Sequence, residues 1–266
     1  MYQVKVIIPI YRLNLSPMEQ ASILQTLQVL REHPILILHP ENLNIPDNMF
    51  PPYVAKLAVS EDWLGTRNGI AGYNSMMMSH EFYQLFSDTE YILICHTDAW
   101  IFRDELTHWC KQNYDCIAAP WIERPIYRLP IIKQYMKWLK AHKEQNGKFC
   151  RQTLYGKVGN GGLSLRRVEA FKEACITYRK EIETYNSHRE HCFNEDVFWA
   201  TIPENFRYPT ENTALQFSFD RHPAYCLKRN NGQLPFGCHS WNKPRMYAFW
   251  KHIINWEAIV SKIILR

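Results

Sequence analysis

Tyr91-Ile92-Leu93-Ile94-Cys95-His96-Thr97-Asp98-Ala99-Trp100 is the stretch on which the fold turns. Five apolar residues without a polar break read as a strand buried on both faces, since a half-solvated strand would alternate. Such a strand needs helices above and below it, and the flanking chain provides them. Val4-Lys5-Val6-Ile7-Ile8-Pro9-Ile10 reads as a first strand ending near Pro9, and Ile35-Leu36-Ile37-Leu38 as a second. Between them, Pro17 to Arg31 has helical apolar spacing, with Ser16 as N-cap and Pro17 at the first position. Ile70 to Phe86 reads as another helix, Leu106 to Gln112 as a short one, and Cys116-Ile117-Ala118-Ala119 as a fourth strand. The stretch holding Pro46, Pro51 and Pro52 carries no pattern. Strand and helix in alternation predict an α/β fold whose mostly parallel sheet is flanked by helices on both faces. Ligands then bind beyond the carboxyl ends of the strands, where His96-Thr97-Asp98 stands.

Composition excludes several classes. The chain has 266 residues, 46% of them hydrophobic and 21% charged, which suits a globular fold rather than a disordered one. Only 10 residues are Gly, with no regular repeat, so collagen-like and low-complexity readings fail. The 8 Cys form no Cys-x-x-Cys pair, which argues against a zinc ribbon or thioredoxin-like site; we expect reduced thiols in a cytoplasmic protein, although a secreted protein supplied without its signal would look the same. No apolar run is long and charge-free enough to span a bilayer. We expect one domain over residues 1–266, in four stretches: a first half (1–121), an insertion (122–157), a second half (158–241) and a closing helix (242–266).

The insertion concentrates the charge. Residues 124–157 hold nine Lys/Arg and one Glu, a net of +8 against +5 overall, so the remainder carries −3. Ile131, Ile132, Tyr135, Met136, Trp138 and Leu139 mix there with Lys133, Lys137, Lys140 and Lys143, as in a basic amphipathic helix. That helix reads either as an ordinary solvated surface or as a mobile element meeting phosphates or an anionic membrane. The tail, with Met246, Phe249, Trp250, Ile253, Ile254, Val260, Ile263 and Ile264 on related faces, reads as a packed helix. The alternative is a membrane-surface or partner helix, with Lys251, Lys262 and Arg266 facing anionic headgroups.

Each candidate functional residue has an ordinary alternative. Asp98 could hold a hard divalent metal through oxygen or simply cap a turn. Arg67 and Asn74, seven residues apart, would share a helix face and meet a diphosphate and a base or ribose, or be a surface Arg and a capping Asn. Val158-Gly159-Asn160-Gly161-Gly162-Leu163-Ser164-Leu165-Arg166 places three Gly within four positions, so backbone can approach a ligand closely; a tight turn into a strand would use the same residues. It is neither a phosphate loop nor Gly-x-Gly-x-x-Gly. Asn194-Glu195-Asp196 fits a helix cap with acids complementing the dipole, or a general base in a cleft. His239, in Phe236-Gly237-Cys238-His239-Ser240-Trp241, is either structural or a metal ligand.

As a set these residues resemble the GT-A glycosyltransferases. Val6-Ile7-Ile8-Pro9-Ile10-Tyr11 looks like their first strand and the loop meeting the nucleobase. Arg67-Asn68-Gly69, Tyr73-Asn74, Glu90 to Ile94 and Asp98 are similar to the segment leading to the family's Asp-x-Asp metal motif, with His96 in place of its first Asp. Gly159-Asn160-Gly161-Gly162 followed by Asn194-Glu195-Asp196 looks like the acceptor-side loop and the acidic pair ahead of the catalytic helix. His239 matches the late metal-site histidine. Asp98-Ala99, Ala118-Ala119-Pro120-Trp121 and Gly159 to Arg166 also resemble a little-characterised glycosyltransferase-like domain family. The likeness spans Val4 to Trp241.

The resemblance implies transfer of a sugar from a nucleotide-sugar, a UDP-sugar by preference, to a hydroxyl on a glycan or glycolipid, with inversion. Pro9, Tyr11, Arg67, Asn74, His96, Thr97 and Asp98 would bind the donor nucleotide. Trp121, Gly159, Asn160, Gly161 and Gly162 would meet the sugar or acceptor. Asp98 and His239 would hold Mn²⁺ or Mg²⁺, more weakly for the loss of the first Asp. Asp196 or Glu195 would be the base. Surface polysaccharide or glycolipid synthesis at the inner membrane face would suit such an enzyme. The rival readings are a non-catalytic nucleotide-sugar binding protein and, less well supported at +5, a nucleic-acid module; no hydrolase motif is present.

Overall fold

In the computed structural model, which describes residues 2–264, a six-stranded sheet runs in the order β3-β2-β1-β4-β7-β6. Its strands are β1 (Tyr2–Pro9), β2 (Ile35–Pro40), β3 (Ala55–Val59), β4 (Thr89–Cys95), β6 (Cys116–Ala118) and β7 (Leu163–Arg167). Pairing is parallel from β3 through β4, whereas β7 runs antiparallel to both β4 and β6. The sheet is therefore mostly parallel, as expected, with β7 the one strand that runs against its neighbours. Alternation along the strands feeds two cores. Val4, Val6 and Ile8 of β1 and Tyr91, Leu93 and Cys95 of β4 face one layer, while Ile7, Ile92 and Ile94 face the other.

The first layer is closed by α1 (Pro17–Val29) and α4 (Leu106–Lys111). Ser16 caps α1 as expected: its hydroxyl accepts from Glu19 N–H while the Glu19 carboxylate accepts from Ser16 N–H. The second layer holds α2 (Gly69–Met77), α3 (His80–Gln84), α6 (Val168–Thr177), α7 (Arg179–Asn186) and α8 (Glu195–Thr201). The single helix expected over 70–86 is thus two. Ser79 adopts extended backbone between them and caps α3 by accepting from Phe82 N–H. A further strand, β3, lies in the stretch that showed no pattern.

A second sheet of three short strands, β5 (Trp100–Ile101), β8 (Ser218–Phe219) and β9 (Gly237–Cys238), has the order β5-β9-β8. Around it pack α9 (Glu211–Phe217), α10 (Pro223–Arg229), α11 (Pro244–Trp250) and α12 (Glu257–Ile264), with Trp241 and Trp250 fully buried. The single closing helix expected at the C-terminus is broken between α11 and α12. The side chain of Lys262 and the residue Arg266, expected on a basic face with Lys251, lie outside the described residues. The insertion carries α5 (Pro130–Gln145). No described helix is long and apolar enough to cross a membrane.

Replacing the cap of α1 tests this local reading. Ser16→Ala should lower unfolding free energy by about 1 kcal/mol, read as a lower urea midpoint with unchanged slope.

Candidate active site

A cleft of about 600 Å³ opens at the carboxyl ends of β1 and β4, a size suited to a small-molecule ligand. The short sheet explains how its polar wall is assembled. β8 and β9 are parallel, so Asp220 and His239, the residues that follow them, emerge at the same end. β5 is antiparallel to β9, so Asp98, which precedes β5, lies at that end too. His239 Nε2 is 3.1 Å from Asp98 Oδ1, and His239 Nδ1 is 3.2 Å from Asp220 Oδ1. Lys243 Nζ lies 3.5 Å from Asp98 Oδ2.

β7 brings the opposite partner. Because it runs against β4, its entry loop meets the exit of β4: Cys95 pairs with Leu163, and His96 N–H donates to Gly162 O at 2.9 Å. Two of the loop's glycines are required by space. A Cβ on Gly161 would overlap Glu195 Oε1, and one on Gly162 would overlap His239 Nε2. Both are close approaches that glycine alone permits.

Helix α8 supplies the third wall. Asn194 occupies its N-cap, but its side chain accepts from Asn74 Nδ2 at 3.1 Å instead of capping, and Asn74 Oδ1 accepts from Glu195 N–H at 3.2 Å. Asn74 thus anchors the start of α8. Glu195 Oε2 accepts from Arg166 Nη2 at 2.9 Å, both side chains being almost fully buried. Arg166 also donates to Tyr83 Oη at 2.9 Å and to Ser164 Oγ at 3.0 Å. Removing one partner of such a pair costs about 3–5 kcal/mol, because the other remains charged and buried.

The titratable groups are pushed apart by these surroundings. Burial, with the positive charge of His239, holds the His96 imidazole down at about 4, so it is neutral. Burial also opposes charge on His239, but Asp98 and Asp220 outweigh it and push His239 up to about 10. Burial opposes charge on Asp98 as well, yet His239 and its hydrogen bond keep that carboxyl well below the usual range. Asp196 behaves oppositely: burial, reinforced by the charge of Glu195, lifts it to about 7. Opposed shifts of this kind concentrate at functional sites.

His96, Asp98 and His239 can offer ligand atoms that all lie within 4.8 Å of one another, close enough to converge on one ion. The set is two imidazole nitrogens and one carboxylate oxygen, and Asp220 sits on the far nitrogen of His239, where an outer carboxylate fixes the tautomer of a ligating imidazole. These residues fit a divalent cation, and the imidazoles suit Mn²⁺ better than Mg²⁺, which prefers oxygen throughout.

Of the sequence candidates, Pro9, Tyr11, Asn74, His96, Thr97, Asp98, Asn160, Gly161, Gly162, Glu195, Asp196 and His239 line the cleft together. Three stand off it. Arg67 falls in the turn before α2, not on its face, and is 75% exposed, 3.8 Å from Asp62. Trp121 is buried against Leu154, Val197 and Ala200, and Gly159 packs between Ala200 and Trp121. Sequence reasoning missed Asp220, Lys243 and Glu19. Glu19 receives Arg12 through both oxygens and Thr97 Oγ1 at 3.3 Å, so the cap of α1 also fixes the loop holding Asp98. Tyr73 Oη lies 2.7 Å from His96 Nε2. The spacing Ser218-Phe219-Asp220 against Gly237-Cys238-His239 was the available signal for Asp220.

No curated protein matches this chain in sequence. Solved structures do share its fold. The galactosyltransferase LgtC in complex with donor and acceptor sugar analogs superposes at a TM-score of 0.59 and 12% identity, over 97% of this chain and 95% of that chain. An active-site mutant of LgtC gives 0.57 at 11% identity over the same shares. The apo form of the glycosyltransferase GlyE of Streptococcus pneumoniae TIGR4 gives 0.51 at 12% identity, over 98% of this chain and 62% of GlyE. The shared architecture is that of GT-A glycosyltransferases. A family profile matches residues 57–239, most of the chain, so the protein belongs to the family described as "Protein of unknown function (DUF5672)" and is built on the GT-A glycosyltransferase fold.

Proposed function

We propose that the chain is a glycosyltransferase that moves a sugar from a nucleotide-sugar, a UDP-sugar by preference, to a hydroxyl of a glycan or glycolipid. The observation that carries this reading is the pairing, within one cleft of a GT-A fold, of a His/Asp/His triad close enough to hold one cation with a carboxyl raised to about 7. In this reading Tyr11, Leu64 and Ile70 flank the nucleobase at the β1 end, and Lys243 offers positive charge to the diphosphate. His96, Asp98 and His239 hold the divalent cation, with Asp220 keeping the Nδ1 proton of His239. A cation bound there supplies charge neutralisation for the departing diphosphate.

Asp196 is the base. Its carboxylate takes the proton of the acceptor hydroxyl as that oxygen attacks the anomeric carbon. A base entering from α8, while the leaving group is held at the strand ends, supports inversion. Glu195 serves this step indirectly: bound to Arg166, it contributes the negative charge that raises Asp196. A non-catalytic nucleotide-sugar binder would have no use for a carboxyl tuned this way.

Asp196→Asn should reduce transfer by about 10²–10⁴-fold while nucleotide binding persists. Because the base acts deprotonated, wild-type kcat/KM should climb with rising pH, half-maximal near 7, and the residual activity of the variant should not. Loss of binding together with activity, or a variant with the wild-type pH profile, would remove Asp196 from this role. The triad has its own test. Gly162→Ala thrusts a methyl against His239 Nε2 and should weaken Mn²⁺ binding, measured from the free-Mn²⁺ spin resonance signal, at least about tenfold. Unchanged affinity would exclude His239 as a ligand.

A further inference from the structure

Helix α5 is 16 residues long, yet none of its residues is buried. Ile132, Met136 and Leu139 turn toward the body at intermediate exposure, and Gln152 Nε2 donates to Met136 O at 2.9 Å. On a different face Ile131, Tyr135, Trp138 and His142 follow one another at helical spacing. Ile131 is 86% exposed, Trp138 58% and Tyr135 57%. The rings of Tyr135 and Trp138 stack at 6.0 Å, and those of Trp138 and His142 at 5.3 Å with planes 8° apart. The stripe is therefore one ordered surface. The turn before it adds exposed Ile126 and Leu129. An exposed apolar surface of this extent marks an interaction site.

Charge selects the partner. Lys133, Lys137 and Lys140 occupy the side of α5 away from the aromatic stripe, and residues 124–157 carry +8 while the rest of the chain carries −3. Bulky apolar residues on one side and lysines on the other describe a helix lying in a membrane interface, where Trp and Tyr settle at headgroup level. A second copy of the chain, docking stripe to stripe, would bring two +8 segments together. Single-stranded nucleic acid would need cations and stacking rings on the same face.

We infer that the outer face of α5 docks on a lipid bilayer containing acidic headgroups. The apolar stripe enters the interface, and the lysine ammonium groups reach the anionic headgroups along their flexible stems. The insertion leaves and rejoins the body at the Pro120–Val158 bridge, next to the Gly159–Gly162 loop. The foot of the insertion thus adjoins one wall of the cleft. A lipid-borne acceptor follows only if the transferase reading holds; the docking stands without it.

The full chain is sedimented with vesicles of phosphatidylcholine alone and of phosphatidylcholine with about 30% phosphatidylserine. It should bind the acidic vesicles at least about tenfold more strongly, with affinity falling as salt rises. Ile131→Ser with Trp138→Ser should abolish binding to both. Lys133→Gln with Lys137→Gln and Lys140→Gln should reduce binding to acidic vesicles and flatten its salt dependence. Thermal midpoints of both variants should match wild type, since none of these side chains is buried. Failure of the wild type to sediment, or variants that bind like it, overturns the inference. A wild-type dimer that the serine variant dissociates, or preferential capture of single-stranded oligonucleotide, assigns the face to another partner and overturns it equally.

Discussion

The hydrogen bond from His96 N–H to Gly162 O, 2.9 Å long, marks the constraint on which the site depends: β7 runs against its neighbours. A parallel β7 would place its entry loop at the far edge of the sheet. Reversed, it lays Asn160, Gly161 and Gly162 against the exit of β4, with enough room for His239 only because Gly162 has no side chain. The same strand carries Arg166 into the second core, where it fixes Glu195 and with it the start of α8. One reversal thus ties the sheet end, the late histidine and the acidic helix to each other.

The short β5-β9-β8 sheet completes the geometry. Strands of two residues contribute little stability themselves, and their arrangement rests on the tryptophans packed around them, with Trp241 Nε1 donating to Ser22 Oγ at 2.8 Å. What the sheet provides is alignment. Asp98, His239 and Asp220 form a continuous line of charge, while His96 beside them stays neutral. Two imidazoles with ring centres 5.8 Å apart are therefore pushed in opposite directions: two carboxylates raise His239, whereas burial and the charge of His239 hold His96 down. Environment assigns these roles, which residue type alone does not.

The sequence was legible where burial writes a pattern. β1, β2 and β4 are covered on both faces and show as apolar runs, and the Ser16-Pro17 start of α1 is a local signal read from four residues. β3 is an edge strand whose Ala55, Lys56 and Ala58 are exposed, so its composition resembles the loops around it. The reversal of β7 leaves no local trace, since strand direction is decided by long-range pairing. The break at Ser79 was readable as a cap signal but hidden by apolar residues on either side. Within the cleft the candidates were read by different routes: Asp98 from its place after the apolar run of β4, the loop before β7 from its density of Gly, Asp196 from the cap pattern ahead of an apolar run, and His239 as a His beside a Gly turn. Asp220 carries none of these marks, and its two-residue strand lies below any periodicity. Arg67 was drawn in by a helical spacing to Asn74 that the turn before α2 breaks, and Trp121 by resemblance alone; the fold turns one to solvent and the other into a core.

In the proposed reading, the cleft takes a nucleotide through a bound cation. Thermal unfolding of wild type and Asp98→Ala with UDP, GDP and CMP, each with and without Mn²⁺, tests it directly, because a ligand of the folded state raises the midpoint. The midpoint should rise with UDP, rise further with Mn²⁺, and lose both shifts in Asp98→Ala. No rise with any nucleotide in the wild type, or a rise that survives in Asp98→Ala with Mn²⁺ dependence intact, would contradict it.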